Sequence, residues 1–298
     1  YYTGGRLASG DTVFKLLEQA IELDPDFAMA HAELGMKYYI AGNRVKGEEH
    51  FQKALSLLDR LTTREQLLIR GLAEDWRGNR EQGIENYKAY LVQYPDDSAI
   101  WFRLGYAYLA TDRFELGIDA FCKFLSIDGP SAAPYINIAT CYSSLGKDAE
   151  ALENYHKAFD LDPTSLTGVY VNNEYGFLLV KIGKIQEAVQ VFEKMAQLDD
   201  SAKKAKGFRS LGLLDMYRGK YSSAQKYFEE AVILNKTLKA GLSELRDHLY
   251  LAAISRQKGS REGFEREMAA VARIQKDIKI DPFFLSLVGT AYARAGRI

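Results

Sequence analysis

Apolar residues along this chain recur at i, i+3, i+4 and i+7 through stretches of a dozen residues or more, and glycine breaks those stretches at near-regular intervals. The period is helical, since residues at these spacings share one face of an α-helix. Two segments, FKLLEQAIELDP at 14–25 and LENYHKAFDLDP at 152–163, write one phrase twice. Each places an apolar residue, an alanine and a second apolar residue at fixed distances before Asp-Pro. Their prolines are 138 residues apart, about four times the roughly 34-residue period of a helix-hairpin repeat.

The columns confirm a repeat. Turn residues fall at Gly42, Gly78, Asp112, Gly146, Gly183, Gly219, Gly259 and Gly296. Seven residues before each stands a small residue: Gly35, Gly71, Gly105, Ala139, Gly176, Gly212, Ala252 and Gly289. Five residues after the turn come Gly47, Gly83, Gly117, Ala151, Ala188 and Ala224, with Phe264 breaking the column. Four further on come Phe51, Tyr87, Phe121, Tyr155, Phe192, Phe228 and Met268. A small residue on a first helix lets a second helix approach, and a large side chain on the second fills the space beside it. Glycine at the turn accepts the positive φ that ends the first helix. Pro25, Pro95, Pro163 and Pro282 read as openings of new helices, at a first helical position, with the preceding Asp accepting from free amides.

These columns resemble the tetratricopeptide repeat, which has a large residue at position 4, Leu at 7, small residues at 8 and 20, Tyr at 11, an aromatic at 24, Ala at 27 and Pro at 32. The segment from Ser98 carries Trp101, Leu104, Gly105, Tyr108, Gly117 and Phe121 in those places; the one from Ala132 carries Tyr135, Ile138, Ala139, Tyr142, Ala151, Tyr155, Ala158 and Pro163. The repeat at 64 departs, with Arg70 and Glu74 where Leu and Tyr belong, and the helices of the repeat at 245 look longer. The resemblance implies an all-α superhelix in a single array over 1–298. Its seven complete repeats span 28–61, 64–97, 98–131, 132–165, 169–202, 205–238 and 245–278, with partial repeats at 12–25 and 282–298. The opening stretch and the phrase LTTREQLLIRG are similar to arrays that follow kinase, cyclase or winged-helix modules in large bacterial proteins.

Composition narrows the function. The chain has 298 residues, 47% hydrophobic and 27% charged, a globular balance. No apolar run approaches the ~20 residues that cross a bilayer. Two cysteines, Cys122 and Cys141, form no CxxC; they read as packing residues and fit a reducing compartment, so a cytoplasmic location is the expectation. The first residue is Tyr1, not Met, which reads as a piece of a longer protein. Charge is uneven: residues 201–298 hold 19 Lys and Arg against 10 Asp and Glu, leaving 20 against 30 for residues 1–200.

Catalytic signatures are missing from the sequence. His31, His50, His156 and His248 make no metal spacing, and no cofactor or metal is expected. The Gly-Lys pairs at 146–147, 183–184 and 219–220 lack the earlier glycine of a phosphate loop and fall at turns. The reading is therefore a non-enzymatic scaffold that binds a peptide or protein segment. The family's inner groove is lined by positions 2, 5, 6, 9, 12 and 13 of each first helix, which implies Phe102, Arg103, Tyr106, Asn137, Tyr170, Asn173, Phe177, Arg209 and Tyr250 as the candidate site. Aromatics and arginine supply area and directed hydrogen bonds at such surfaces, and asparagine can both donate to and accept from a peptide backbone. The Lys and Asn pattern of a chaperone-tail clamp is matched only by Asn137, and the position-6 asparagine ladder of sugar-transferase arrays is absent. The alternatives are a regulatory arm of a larger bacterial kinase, cyclase or transcription regulator, self-association through the end helices with Phe283, Phe284 and Leu287 uncovered, and nucleic-acid or other polyanion binding by the basic segment around Lys203, Lys204, Lys206 and Arg209.

Overall fold

The structure, a computed structural model, describes residues 10–167 and 169–277. Among these residues it is all helix, with no strand. The partial repeat at 282–298, with Phe283, Phe284 and Leu287, and the turn residue Gly296 lie outside the described residues. The chain divides into two compact units, Tyr1–Asp162 and Pro163–Ile298.

In the first unit α1 (Gly10–Leu23) packs on α2 (Ala28–Ile40), and Phe14 meets Tyr38 edge-on at 5.1 Å. The hairpins that follow pair α2 with α3 (Arg44–Ser56), α4 (Thr63–Arg77) with α5 (Arg80–Gln93), α6 (Ser98–Leu109) with α7 (Phe114–Asp128), and α8 (Ala132–Ser144) with α9 (Asp148–Leu161). In the second unit the pairs are α10 (Val169–Lys181) with α11 (Ile185–Ala196), α12 (Ser201–Tyr217) with α13 (Tyr221–Thr237), and α14 (Gly241–Gln257) with α15 (Arg261–Asp277). Within each unit a second helix also packs on the next first helix, α3 on α4, α5 on α6 and α7 on α8 in the first and α11 on α12 and α13 on α14 in the second, and α2 meets α4, α6 meets α8 and α10 meets α12. One hairpin cannot cover its own apolar face, and its neighbours complete the burial.

The small and large columns make the hairpins. A Cβ added at Gly35, Gly71, Gly105 or Gly212 would stand 3.0, 2.6, 2.8 and 2.8 Å from the ring of Phe51, Tyr87, Phe121 and Phe228 respectively. Phe192 fills the same place beside Gly176. The partner is always 16 residues on, and all five rings are fully buried. Ala139 with Tyr155 and Ala252 with Met268 continue the series. Each such ring contributes about 1.5–3 kcal/mol of burial, and it fits only because the opposite residue is small.

The turns are uniform. Gly42, Gly78, Gly146, Gly183, Gly219 and Gly259 all have positive φ, and Asp112 adopts the same conformation at φ 58°. The amide after each turn residue donates to the carbonyl five residues earlier, as from Asn43 to Tyr38 at 2.8 Å and from Arg113 to Tyr108 at 2.9 Å. This is the bond that closes a helix C-terminus on a left-handed residue. The sequence columns did not mark Lys239, which takes φ 53° between α13 and α14.

The prolines behave differently from expectation. Pro25 and Pro95 sit in turns three residues before α2 and α6, and Pro163 opens a short 3₁₀ helix, Pro163–Thr167, ahead of α10. Asp24 still accepts from the Asp26 amide at 3.0 Å, so Asp-Pro builds the turn that leads into the helix. Pro282 is outside the described residues. Where the phrase LTTREQ opens α4, Thr62 and Glu65 form a reciprocal capping box.

Two departures in the columns also resolve. In α4 the buried apolar side chains are Ile69, Leu72 and Ala73, and Arg70 is exposed one position from the expected Leu. Phe264 joins Leu245, Leu249, Ala252, Met268 and Val271 in the core of the last hairpin. Helices α12 to α15 each have 17 residues, where α6 and α8 have 12 and 13.

Candidate functional site

The candidate residues all belong to first helices, α6 and α8 in the first unit and α10, α12 and α14 in the second, and their states differ. In the first unit Phe102 on α6 lies edge-on to Phe121 and Phe124 at 5.5 and 5.4 Å, so most of its ring serves the core. Arg103 reaches back to α2, where Nη2 meets Glu33 Oε1 at 2.8 Å and Nη1 lies 3.0 Å from Met36 Sδ. That ion pair joins the first and third hairpins past α4. Tyr106, one turn from Phe102, is 50% exposed. Asn137 on α8 is half-buried, and no hydrogen bond ties its carboxamide among the described residues.

In the second unit Asn173 on α10 accepts from Ser210 Oγ of α12 at 2.5 Å. Phe177 packs on Phe192 at 5.2 Å, and Tyr250 stacks on Phe228 at 4.9 Å. Arg209 is only 7% exposed. Its Nη2 donates to Asp247 Oδ2 at 2.9 Å and to the Ser243 carbonyl at 3.2 Å, while Nε donates to Asp247 Oδ1. Asp247 is fully buried and takes a further bond from Asn235 Nδ2 at 2.7 Å. Burial pushes its carboxyl above the usual range, against the pull of Arg209 and Asn235. The side chain of Tyr170 lies outside the described residues.

The sequence placed Glu33 on the groove face but did not bring Asp247 or Asn235 into the candidate set. A short-range spacing rule has no signal for the pairings, because Asp247 meets Arg209 across 38 residues and Glu33 meets Arg103 across 70.

A depression of about 790 Å³ lies elsewhere in the first unit, on α5, α6 and α7. Leu91, Val92, Trp101, Tyr108, Leu116 and Cys122 are among its lining residues. It is a trough open to solvent, lined also by Lys88, Asp119, Lys123 and Ser126, and shares no residue with the candidate set. Volume alone does not make it the binding site.

The remaining reactive groups are occupied or quiescent. Burial pushes the Cys141 thiol up to about 12, and Cys141 packs against Gly117; Cys122 is also raised, by burial first and then by Asp119. His248 bonds Glu267 at 2.7 Å. His31 Nε2 lies 3.1 Å from the Pro25 carbonyl, which can only accept, so that nitrogen carries the proton and Nδ1 accepts from His50 Nδ1 at 3.0 Å. Among the described residues there is no group of three or more His, Cys, Asp or Glu that could hold a metal ion, and no helix long and apolar enough to cross a membrane.

Repeated helix hairpins, each packed on its neighbours within its unit, define a helical-repeat protein. Two family models described as tetratricopeptide repeat match residues 70–133 and 132–165, and the same small-to-aromatic packing continues in the hairpins on either side. The chain carries tetratricopeptide repeats over residues 70–165. It is similar to Protein O-mannosyl-transferase TMTC3 of Homo sapiens, 21% identical over 250 residues covering 79% of this chain and 27% of that protein. It is also similar to Type IV pilus assembly protein PilF of Pseudomonas aeruginosa, 28% identical over 150 residues, 50% of this chain and 58% of that one. The chain thus spans less than two thirds of either relative. In fold it resembles the crystal structure of the APC/C hetero-tetramer Cut9-Hcn1, with a TM-score of 0.65 at 14% identity over 95% of this chain and 52% of that chain. The structure of PilF gives 0.54 at 17% identity over 74% and 94%.

Proposed function

We propose that the chain is a non-enzymatic scaffold that holds a peptide or protein segment on the face lined by its first helices. The observation that carries this reading is the pair Tyr106 and Asn137 on the neighbouring helices α6 and α8. Tyr106 presents a half-exposed aromatic ring, and Asn137 a carboxamide with no hydrogen bond among the described residues. Phe102, Phe177 and Tyr250, by contrast, are engaged in ring packing on the core. An aromatic surface beside a donor and acceptor suits an extended backbone with one anchoring side chain. Arg103 rests on Glu33 and frames the same face on its N-terminal side.

A second reading, in which the array is the binding arm of a larger protein, is supported by its matching only 27% of the length of one relative. The two are compatible, because an arm binds by the same face.

The test is selection of binders from a random dodecapeptide display library on the full chain. The strongest peptide is then titrated against wild type and Tyr106→Ala/Asn137→Ala. About tenfold weaker binding with an unchanged melting midpoint supports the site. No enriched peptide, or equal affinity for both proteins, refutes it.

A further inference from the structure

The helices of the second unit alternate in direction through three hairpins, and α10 packs beside α12 and α13 beside α14. The turns inside the hairpins, at Gly183, Gly219 and Gly259, therefore fall at one end of the helices, and the connections between hairpins fall at the other. Lys258 Nζ, in the third of these turns, donates to Gln225 Oε1 near the start of α13 at 2.9 Å, which seats that turn beside the second. Packed helices lie about 8–10 Å apart, so neighbouring turn tips follow at a spacing of that order.

This end of the unit is basic. Segments 182–185, 217–221 and 256–261 hold six Lys and Arg and no Asp or Glu, so any neutralising group comes from outside them. At turns of the first unit such groups are in place: Arg77 holds Glu48 at 2.7 Å, Arg80 holds Asp75 at 2.7 Å and Arg113 holds Glu81 at 2.6 Å. The second unit supplies fewer. Lys184 meets Glu187 at 3.1 Å, and Arg218 lies 3.8 Å from Asp215. Lys220, Arg256, Lys258 and Arg261 are exposed and enter no ion pair among the described residues, and the Gln225 partner of Lys258 is neutral. Cations this close, within about one Debye length of ~8–10 Å, repel one another, and an external anion among them reverses the sign of that interaction.

Shape and side chains say which anion fits. The cations stand on projecting turn tips, a row that a broad surface meets together, whereas a single strand of nucleic acid calls for a groove with successive stacking platforms. Tyr217, beside Arg218, is 77% exposed, and Tyr221 across the same turn is half-buried. Tyrosine among Lys and Arg suits the headgroup level of a bilayer, with the ring towards the acyl boundary and the charges among the phosphates. Contact of this kind requires no spanning helix, and none of the described helices is long and apolar enough to cross a membrane.

We propose that the turn edge of α10–α15 docks on an anionic lipid surface, with Lys220, Arg256, Lys258 and Arg261 among the headgroups and Tyr217 at the interface. The docking uses helix ends and not first-helix faces, so it stands or falls separately from the scaffold reading.

The test is co-sedimentation of the full chain with vesicles of phosphatidylcholine carrying about 30% phosphatidylserine, beside vesicles of phosphatidylcholine alone, at about 0.1 M salt. Partition onto the anionic vesicles is expected to exceed that onto the neutral ones by about tenfold or more. Lys220→Gln/Arg256→Gln/Lys258→Gln/Arg261→Gln, checked for wild-type helicity and melting, is expected to erase that excess. Lys194→Gln/Lys203→Gln/Lys204→Gln/Lys236→Gln removes the same charge at the opposite end of the helices and is expected to keep most of it. Tyr217→Ser is expected to weaken partition about threefold at unchanged charge. No excess on anionic vesicles, or equal losses in the two quadruple variants, overturns the proposal. A thymidine oligonucleotide that strips the chain from the vesicles at a phosphate concentration well below that of the accessible phosphatidylserine also overturns it, in favour of nucleic acid.

Discussion

The hairpins α6–α9 and α12–α15 are built by one rule and finished by two. In both, a small residue faces a large one 16 positions on: Gly105 with Phe121 and Ala139 with Tyr155, then Gly212 with Phe228 and Ala252 with Met268. Their first-helix faces then diverge. On α6 and α8, Tyr106 is half-exposed and the Asn137 carboxamide has no bond among the described residues. On α12 and α14, Arg209, Asp247 and Asn235 close into a buried network, and the helices run to 17 residues. The apolar columns fix where helices lie. The polar positions between them close into a buried network in one region, and in the other leave the Asn137 carboxamide without a hydrogen bond among the described residues.

The largest break in this comparison comes from removing one half of the buried pair. Asp247→Ala leaves the Arg209 guanidinium buried without its carboxylate and is expected to cost about 3–5 kcal/mol. Arg209→Met/Asp247→Ala removes both charges and is expected to cost clearly less, because no lone buried charge remains. Urea titrations of the two variants check this. A single variant no less stable than the double would mean that the network is solvated in solution.

Gly105→Leu tests the rule the two regions share. A Cβ there stands 2.8 Å from Phe121 Cε1, so the hairpin must open or the ring must leave its rotamer, at about 3 kcal/mol. A melting midpoint unchanged from wild type would contradict the packing register.

The pH dependence follows from the α2–α3 hairpin. Burial first, and then His31, hold His50 below the ordinary imidazole value, so the unfolded chain takes the proton before the folded one does. Stability is expected to be fully present above about pH 6.5 and to fall as pH drops below it. His50→Phe, which keeps a ring against Tyr38 where His50 now stacks at 5.4 Å, is expected to flatten the curve between pH 7.5 and pH 5.5, about one unit either side of that value. Thermal melts of both proteins across that window check it, and parallel slopes would count against the histidine pair.

The smallest effect is a gain. Asp112 holds a left-handed turn at φ 58° where the other described intra-hairpin turns use glycine. Asp112→Gly is expected to stabilise by about 0.5–1 kcal/mol, read as a rise in urea midpoint.

The fold was legible because its cause is local. A small residue, a turn seven residues on and a ring nine beyond that fall within one hairpin, where a single sequence displays them together. Lys239 was missed because its left-handed turn is made by a residue type that carries no such signal. Pro25 and Pro95 were placed three residues too late in function, since Asp-Pro builds the turn before the helix and does not occupy its first position. The candidate site was legible only as a set of helix positions. Whether a side chain on that face is spent depends on partners far along the chain, as Asp247 is for Arg209 and Glu33 is for Arg103.

The most direct test of the scaffold account places a photo-crosslinking amino acid at position 106 in one sample of the full chain and at position 92 in another, and irradiates each with the peptide selected by display. Position 106 lies on the first-helix face, and position 92 lines the outer trough. The account predicts a crosslinked product from position 106 that Asn137→Ala reduces, and none from position 92. A product from position 92 with none from position 106 would move the binding surface to the trough and contradict it.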